Sequence, residues 1–173
     1  MIEVSQTMAA GADRVFAVLA DGWLYPLWVV GASHMRHVDD DWPAVGSRIH
    51  HSVGPWPLDI EDVTKVTAVQ PDRMLELDAR VWPTGAARVR LTLEPVGKNQ
   101  TRVTMGEIFE RGPAREVPQP LQAAMMRPRN VEALRRLADI AEHRDVLCTP
   151  RAKAGLERYE DPELGPGFTP QQG

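Results

Sequence analysis

The sequence predicts an α+β fold: one antiparallel sheet with a face covered by a single long C-terminal helix. Three observations predict it. Residues 32 to 111 hold short stretches rich in Val, Leu, Ile and Thr, divided by the turn-type clusters "DDDWPAVGS", "GPWP", "QPD", "WPTG" and "VGKNQ". These links are too short for parallel crossovers, so the strands form an antiparallel meander. After "RGPAREVPQP" the period turns helical, with Met126, Asn130, Leu134, Leu137 and Ala141 on one continuous face.

The elements follow in order. "IEVSQTM" alternates at Ile2, Val4, Gln6 and Met8, a strand with one imperfect core position. In "GADRVFAVLADG", Val15, Phe16, Leu19 and Ala20 share a helical stripe, Asp13 suits the positive N-terminal end, and Gly22 stops the pattern. "WLYPLW" reads as a short aromatic helical turn interrupted by Pro26. Six strands are expected near 32–39, 47–54, 57–69, 73–82, 86–95 and 100–111, which with the first makes a seven-stranded sheet. A helix over 121–145 then covers it, kinked or broken at Pro128. Residues 149–173 carry Pro150, Pro162, Pro166 and Pro170 with little apolar periodicity. The chain therefore divides into a domain over 1–146 and a tail over 147–173 that adds nothing to the core.

Composition narrows the functional classes. A chain of 173 residues with 43% apolar and 25% charged residues suits one soluble globular domain. The net charge of -4, without a basic tract, argues against a nucleic-acid partner. Cys148 is the sole cysteine, so there is neither a disulfide framework nor a thiolate cluster. The N-terminus lacks a signal-peptide pattern, and no run of about 18 apolar residues suggests membrane insertion. A cytoplasmic protein, monomeric or homodimeric, is the expectation.

The polar residues inside the strands carry the chemistry. Side chains alternate faces along a strand. In "RIHHSVG", Ile49, His51 and Val53 share the inner face, while Arg48, His50 and Ser52 face solvent. Adjacent strand residues do not ligate one ion from the same face, so "HH" is not a metal site and no metal or other cofactor is expected. Leu58, Ile60, Asp62, Thr64 and Val66 share the next inner face, with Asp59, Glu61 and Lys65 opposite. With "GPWP" as a four-residue turn, Val53 pairs with Leu58, His51 with Ile60 and Ile49 with Asp62. His51 and Asp62 are then diagonal neighbours, within reach of a direct or water-mediated hydrogen bond. Val103, Met105, Glu107 and Phe109 alternate together, which turns Glu107 inward. By contrast Leu75, Leu77, Ala79 and Val81, like Val89, Leu91 and Leu93, make purely apolar inner faces. Plainer readings stand beside these: His51 as a satisfied core residue, Asp62 and Glu107 curling out to water, and Asn130 capping a helix turn restarted after Pro128. Trp42 and Trp82 read as packing in turns, and Trp23 as surface cover.

The order of "ADRVFAVLAD", "YPLWVVGA", "WPAVGSRIHHSVG", "RVTMGEIFERGP" and "RNVEALRRLA" resembles the START-like, or SRPBCC, superfamily over residues 2–145. The resemblance extends to its polyketide cyclase/dehydrase members. It implies a helix-grip fold, in which the sheet wraps the long helix and two short helices follow the first strand. It also implies a deep apolar cavity between sheet and helix, with Tyr25 and Trp28 near its mouth. The ligand would meet Tyr25, Trp28, His51, Asp62, Thr64, Leu77, Leu91, Met105, Glu107, Met126, Asn130 and Leu134.

Three functions compete. The protein binds a hydrophobic small molecule such as a lipid or polyketide and orients it by a few polar contacts. Alternatively it is a cyclase or dehydratase in which His51 and Asp62 or Glu107 are acid and base. The third reading is an interaction module with a filled pocket. The several inward polar residues favour the first two, and the absence of a nucleophile motif or phosphate loop leaves binding ahead. Deleting residues 150–173 is expected to leave the melting temperature within a few degrees of the full chain. A large loss in a thermal scan would mean that the tail is docked on the domain.

Overall fold

The computed structural model describes residues 1–53, 60–81 and 85–143. Seven strands form one antiparallel sheet: β1 Ile2–Met8, β2 Ala32–Val38, β3 Arg48–Val53, β4 Ile60–Gln70, β5 Met74–Val81, β6 Gly85–Gly97 and β7 Gln100–Arg111. Their spatial order is β1-β7-β6-β5-β4-β3-β2. The meander expected from the short links is present, and β1 closes the sheet beside β7. Helices α1 (Ala12–Ala20) and α2 (Tyr25–Trp28) follow β1, and α3 (Gln119–His143) ends the described chain. This is the helix-grip arrangement.

The core lies where the patterning placed it. On the inner face Ile49, Val66, Leu75, Leu77, Leu91 and Val103 are sealed from solvent. From α3, Met126, Asn130, Ala133, Leu134, Leu137, Ala138 and Ala141 turn inward. The helix packs on β1, α1 and α2 and reaches β7. α1 is buried more widely than one stripe, with Val15 to Ala20 all inside, because α3 and the sheet both press on it. The Trp42 indole N–H donates to the Leu19 carbonyl at 3.1 Å, which ties the β2–β3 connection to α1. Trp42 is thus packing, and Trp23 is exposed.

Several expectations need correction. β3 and β4 pair Val53 with Ile60, His51 with Asp62 and Ile49 with Thr64, two residues away from the register that a four-residue turn implies. Residues 54–59, which hold "GPWP", lie outside the described residues. An even shift keeps every side chain on its expected face but sets His51 directly opposite Asp62. Ser52, expected in solvent, is buried. α3 runs as one element through Pro128, with no break there. Pro26 occupies the first turn of α2, where its missing N–H costs no helical bond, so it starts that helix rather than interrupting it. Register shifts between Met35 and His37 and between Val66 and Ala68 were not foreseen. Leu58, Asp59, Trp82, Cys148 and the expected tail fall outside the described residues.

Leu134 is sealed against the sheet at the middle of this interface. Leu134→Asp is expected to lower stability by about 4 kcal/mol or more, since the carboxylate gains no partner there. An unchanged denaturation midpoint would contradict the placement of α3.

Candidate functional site

Two polar groups meet under the helices. The first is on β3 and β4, where strand pairing sets His51 against Asp62 on the inner face. Both are almost wholly enclosed, at 3% and 2% relative exposure. One oxygen of Asp62, Oδ1, accepts from the Val63 amide at 2.7 Å. The other, Oδ2, has no hydrogen-bond partner among the described residues, and neither has His51 Nδ1. The hydrogen bond expected between the pair is therefore not made through these atoms. Two orphaned polar atoms side by side in an apolar setting cost stability.

Tyr25 closes this group from above. Its ring lies 5.2 Å from the His51 ring and 5.4 Å from Trp28, edge-on to the latter. Its hydroxyl shares a 3.0 Å hydrogen bond with Thr64 Oγ1, and Thr64 is itself sealed. The Pro26-initiated turn of α2 points both aromatic residues inward, so both are buried. Burial pushes the Tyr25 hydroxyl up to about 12, opposed by the Thr64 bond. Tyr25 is therefore a neutral phenol at any physiological pH. Burial also raises Asp62 to about 6, against the Val63 amide and the charge of Arg80. Burial lowers His51, and the charge of Arg36 lowers it further. Around neutral pH His51 is an uncharged imidazole and Asp62 is mostly, though not wholly, ionised.

The second group joins β7 to α3. Glu107 is 1% exposed, yet both of its oxygens are bound. Arg129 Nη2 lies 2.5 Å from each, and Asn130 Nδ2 donates to Oε2 at 2.8 Å. Arg129 Nε also points to Asn130 Oδ1 at 3.4 Å. Glu107 and Asp62 are therefore both inside, not curled out to water, and Asn130 partners Glu107 rather than capping a helix turn. Arg129 was not singled out from sequence. The signal was present nonetheless: an inward glutamate demands a cation, and Arg129 adjoins Asn130 on the stripe that covers it.

The remaining expected residues are placed as follows. Leu77, Leu91, Met105 and Leu134 are buried in the continuous core cluster. Met126, by contrast, lines a groove of about 340 Å3 at the start of α3. Its walls are Phe109 of β7, Pro113, Ala114 and Val117 of the following turn, and Gln122 and Met125 of α3, and Arg129 lines it too. His50 lies on the outer side, half-buried, with its ring 5.8 Å from that of His37. Among the described residues no group of three or more His, Cys, Asp or Glu side chains has a metal-binding arrangement. No helix among them is long and apolar enough to cross a membrane.

The sheet gripping α3 defines the class: a helix-grip protein. The chain belongs to the family described as polyketide cyclase / dehydrase and lipid transport, whose profile matches residues 1–142. Solved structures share the fold. A START superfamily protein from Mycobacterium smegmatis is 17% identical, with a TM-score of 0.63 over 81% of this chain and 97% of that one. The Zhui aromatase/cyclase from a Streptomyces species is 16% identical, with a TM-score of 0.61 over 83% and 93% of the two chains. A protein from Rhodobacter sphaeroides is 22% identical, with a TM-score of 0.64 over 83% and 92%. No curated protein sequence matches the chain.

The raised Asp62 has a consequence for stability. Its folded pKa of about 6 lies above the ordinary value of 3.8, so the folded state holds the proton more tightly than the unfolded chain does. That contribution is complete below about pH 4 and is lost as pH rises through 6. It amounts to roughly 2–3 kcal/mol. Asp62→Asn, neutral throughout, is expected to stabilise the protein above pH 6 and to have little effect at pH 4. Denaturant titrations at pH 4 and 7.5 check this, and a destabilised Asn variant at pH 7.5 would contradict it.

Proposed function

We propose that the chain binds a hydrophobic small molecule, such as a lipid or polyketide, between the sheet and α3. In this reading His51 and Asp62 hold its hydroxyl or carbonyl. The observation that carries the reading is the pair of orphaned atoms, His51 Nδ1 and Asp62 Oδ2, buried together beneath Tyr25. An ionised Oδ2 accepts a ligand hydroxyl, and a neutral imidazole donates or accepts as its tautomer requires. Tyr25 and Trp28 supply flat apolar contact above the same point, and in this reading Met126 and Asn130 meet the ligand from α3. Leu77, Leu91, Met105 and Leu134 give the apolar lining. The family's description and its aromatase/cyclase relative support this class of ligand. The net charge of -4 fits a protein without a nucleic-acid partner, and a cytoplasmic monomer or homodimer is part of the same reading.

A second reading, catalysis, is favoured by one observation. Asp62 at about 6 and a neutral His51 are matched to proton transfer near neutral pH. Dehydration of a β-hydroxy ketone needs a base for the proton beside the carbonyl and an acid for the departing hydroxyl. His51 and Asp62, on facing strands, suit those two tasks. Glu107 suits them less, because Arg129 and Asn130 occupy its oxygens.

Two adjacent histidines separate the binding reading from a purely structural one. With a fluorescent hydroxyanthraquinone as probe, His51→Ala and Asp62→Asn are each expected to weaken binding about tenfold, the worth of one buried polar contact. The double variant should be no weaker than the worse single. His50→Ala should bind as the wild type does. Equal effects at His50 and His51, or tight binding by the double variant, would overturn the assignment.

A further inference from the structure

Arg129 faces two ways. One side of its guanidinium holds Glu107, while the side chain keeps 36% of its surface exposed and lines the groove at the start of α3. The groove is otherwise apolar. Gln122, its other polar residue, has its amide nitrogen committed, donating to the Ala114 and Val117 carbonyls at 2.9 and 2.7 Å. Those two bonds tie the Pro113–Glu116 turn to α3 and hold the groove's walls apart at a fixed width. Arg129 contacts protein acceptors through Nη2 and Nε, and Nη1 is its remaining donor among the described residues.

We propose that this groove is the outer part of the ligand site, and that Arg129 selects molecules carrying an uncharged hydrogen-bond-accepting oxygen: a ketone, ester or quinone carbonyl. The inference rests on the reading that the chain binds a hydrophobic molecule. It adds the path along which that molecule lies and the group it must carry.

The charge balance makes the choice between acceptors. Glu107 already neutralises Arg129. A ligand carboxylate arriving beside them would leave one negative charge uncompensated among Phe109, Met126 and Val117, which is costly in an apolar setting. A carbonyl oxygen takes a charge-assisted hydrogen bond from Nη1 and adds no charge. The groove's volume of about 340 Å3 accepts an alkyl or aryl body. α2, which carries Tyr25, packs on α3, and the charge of Arg129 reaches the Tyr25 hydroxyl. A ligand spanning both would present a carbonyl to Arg129 and a hydroxyl to Asp62.

The test compares 2-undecanone, labelled with 13C at its carbonyl, with undecanoate at pH 7.5. The ketone is expected to bind wild-type protein at least about tenfold more tightly than the acid. Its bound carbonyl resonance should lie downfield of that in the Arg129→Met/Glu107→Gln double variant, which removes both charges together and so avoids an unpaired buried carboxylate. Val117→Trp, which fills the groove and leaves the ion pair intact, should abolish ketone binding. Undecanoate binding as tightly as the ketone, an unmoved carbonyl resonance, or full binding by Val117→Trp would each overturn the inference. Should Val117→Trp bind the ketone while His51→Ala does not, the groove is wrong and the binding reading survives. Failure of both probes on wild-type protein would remove both.

Discussion

The contact between Glu107 and α3 is the constraint on which the site depends. A carboxylate sealed on the inner face of β7 needs partners, and α3 supplies two from consecutive positions. Arg129 and Asn130 differ by about a quarter-turn around the helix axis, so both reach one carboxylate only over a narrow range of helix rotation. That rotation turns Met126, Leu134, Leu137 and Ala141 onto the sheet. It also turns Arg129 towards the groove beneath the Pro113–Glu116 turn. Packing alone would tolerate some slip along such a face. The buried ion pair does not, and it sets how α3 presents its first turns to the groove.

The His51–Asp62 group shows the opposite economy. Most of the inner face is sealed hydrocarbon at native density, from Ile49 through Leu75 and Leu91 to Val103. Amid this, two facing strand residues hold polar atoms without partners. Such atoms lower stability, as does ionising Asp62 there, and sites that trade stability for a poised polar group are commonly functional. Glu107 is a buried acid with every need met. Asp62 is one with a need outstanding, and the proposed ligand contact rests on that difference.

Much of the arrangement was legible in the sequence because alternation and helical period are strong signals. Parity turned His51, Asp62, Thr64 and Glu107 inward, and the period of 3.6 turned Asn130 and Leu134 towards them; all are buried. What escaped has physical reasons. The His51–Asp62 pairing depended on the length of the β3–β4 connection, and "GPWP" names a turn without fixing where the ladder resumes. The irregularities after Met35 and Val66 insert single residues that no composition signal marks. Pro128 does not break α3, because a proline inside a packed helix can be carried by the surrounding contacts. Arg129 was passed over because an arginine beside the stripe reads as surface, and only the depth of Glu107 makes it necessary. The groove was invisible because it forms where β7, a turn and α3 meet.

Native mass spectrometry of the protein purified from its own host, paired with Asp62→Asn prepared identically, tests the central claim most directly. The wild-type protein should carry an uncharged apolar molecule with at least one hydroxyl or carbonyl, and the variant much less of it despite being the more stable protein. A wild-type protein that emerges bare, or an equal load on the variant, would contradict it.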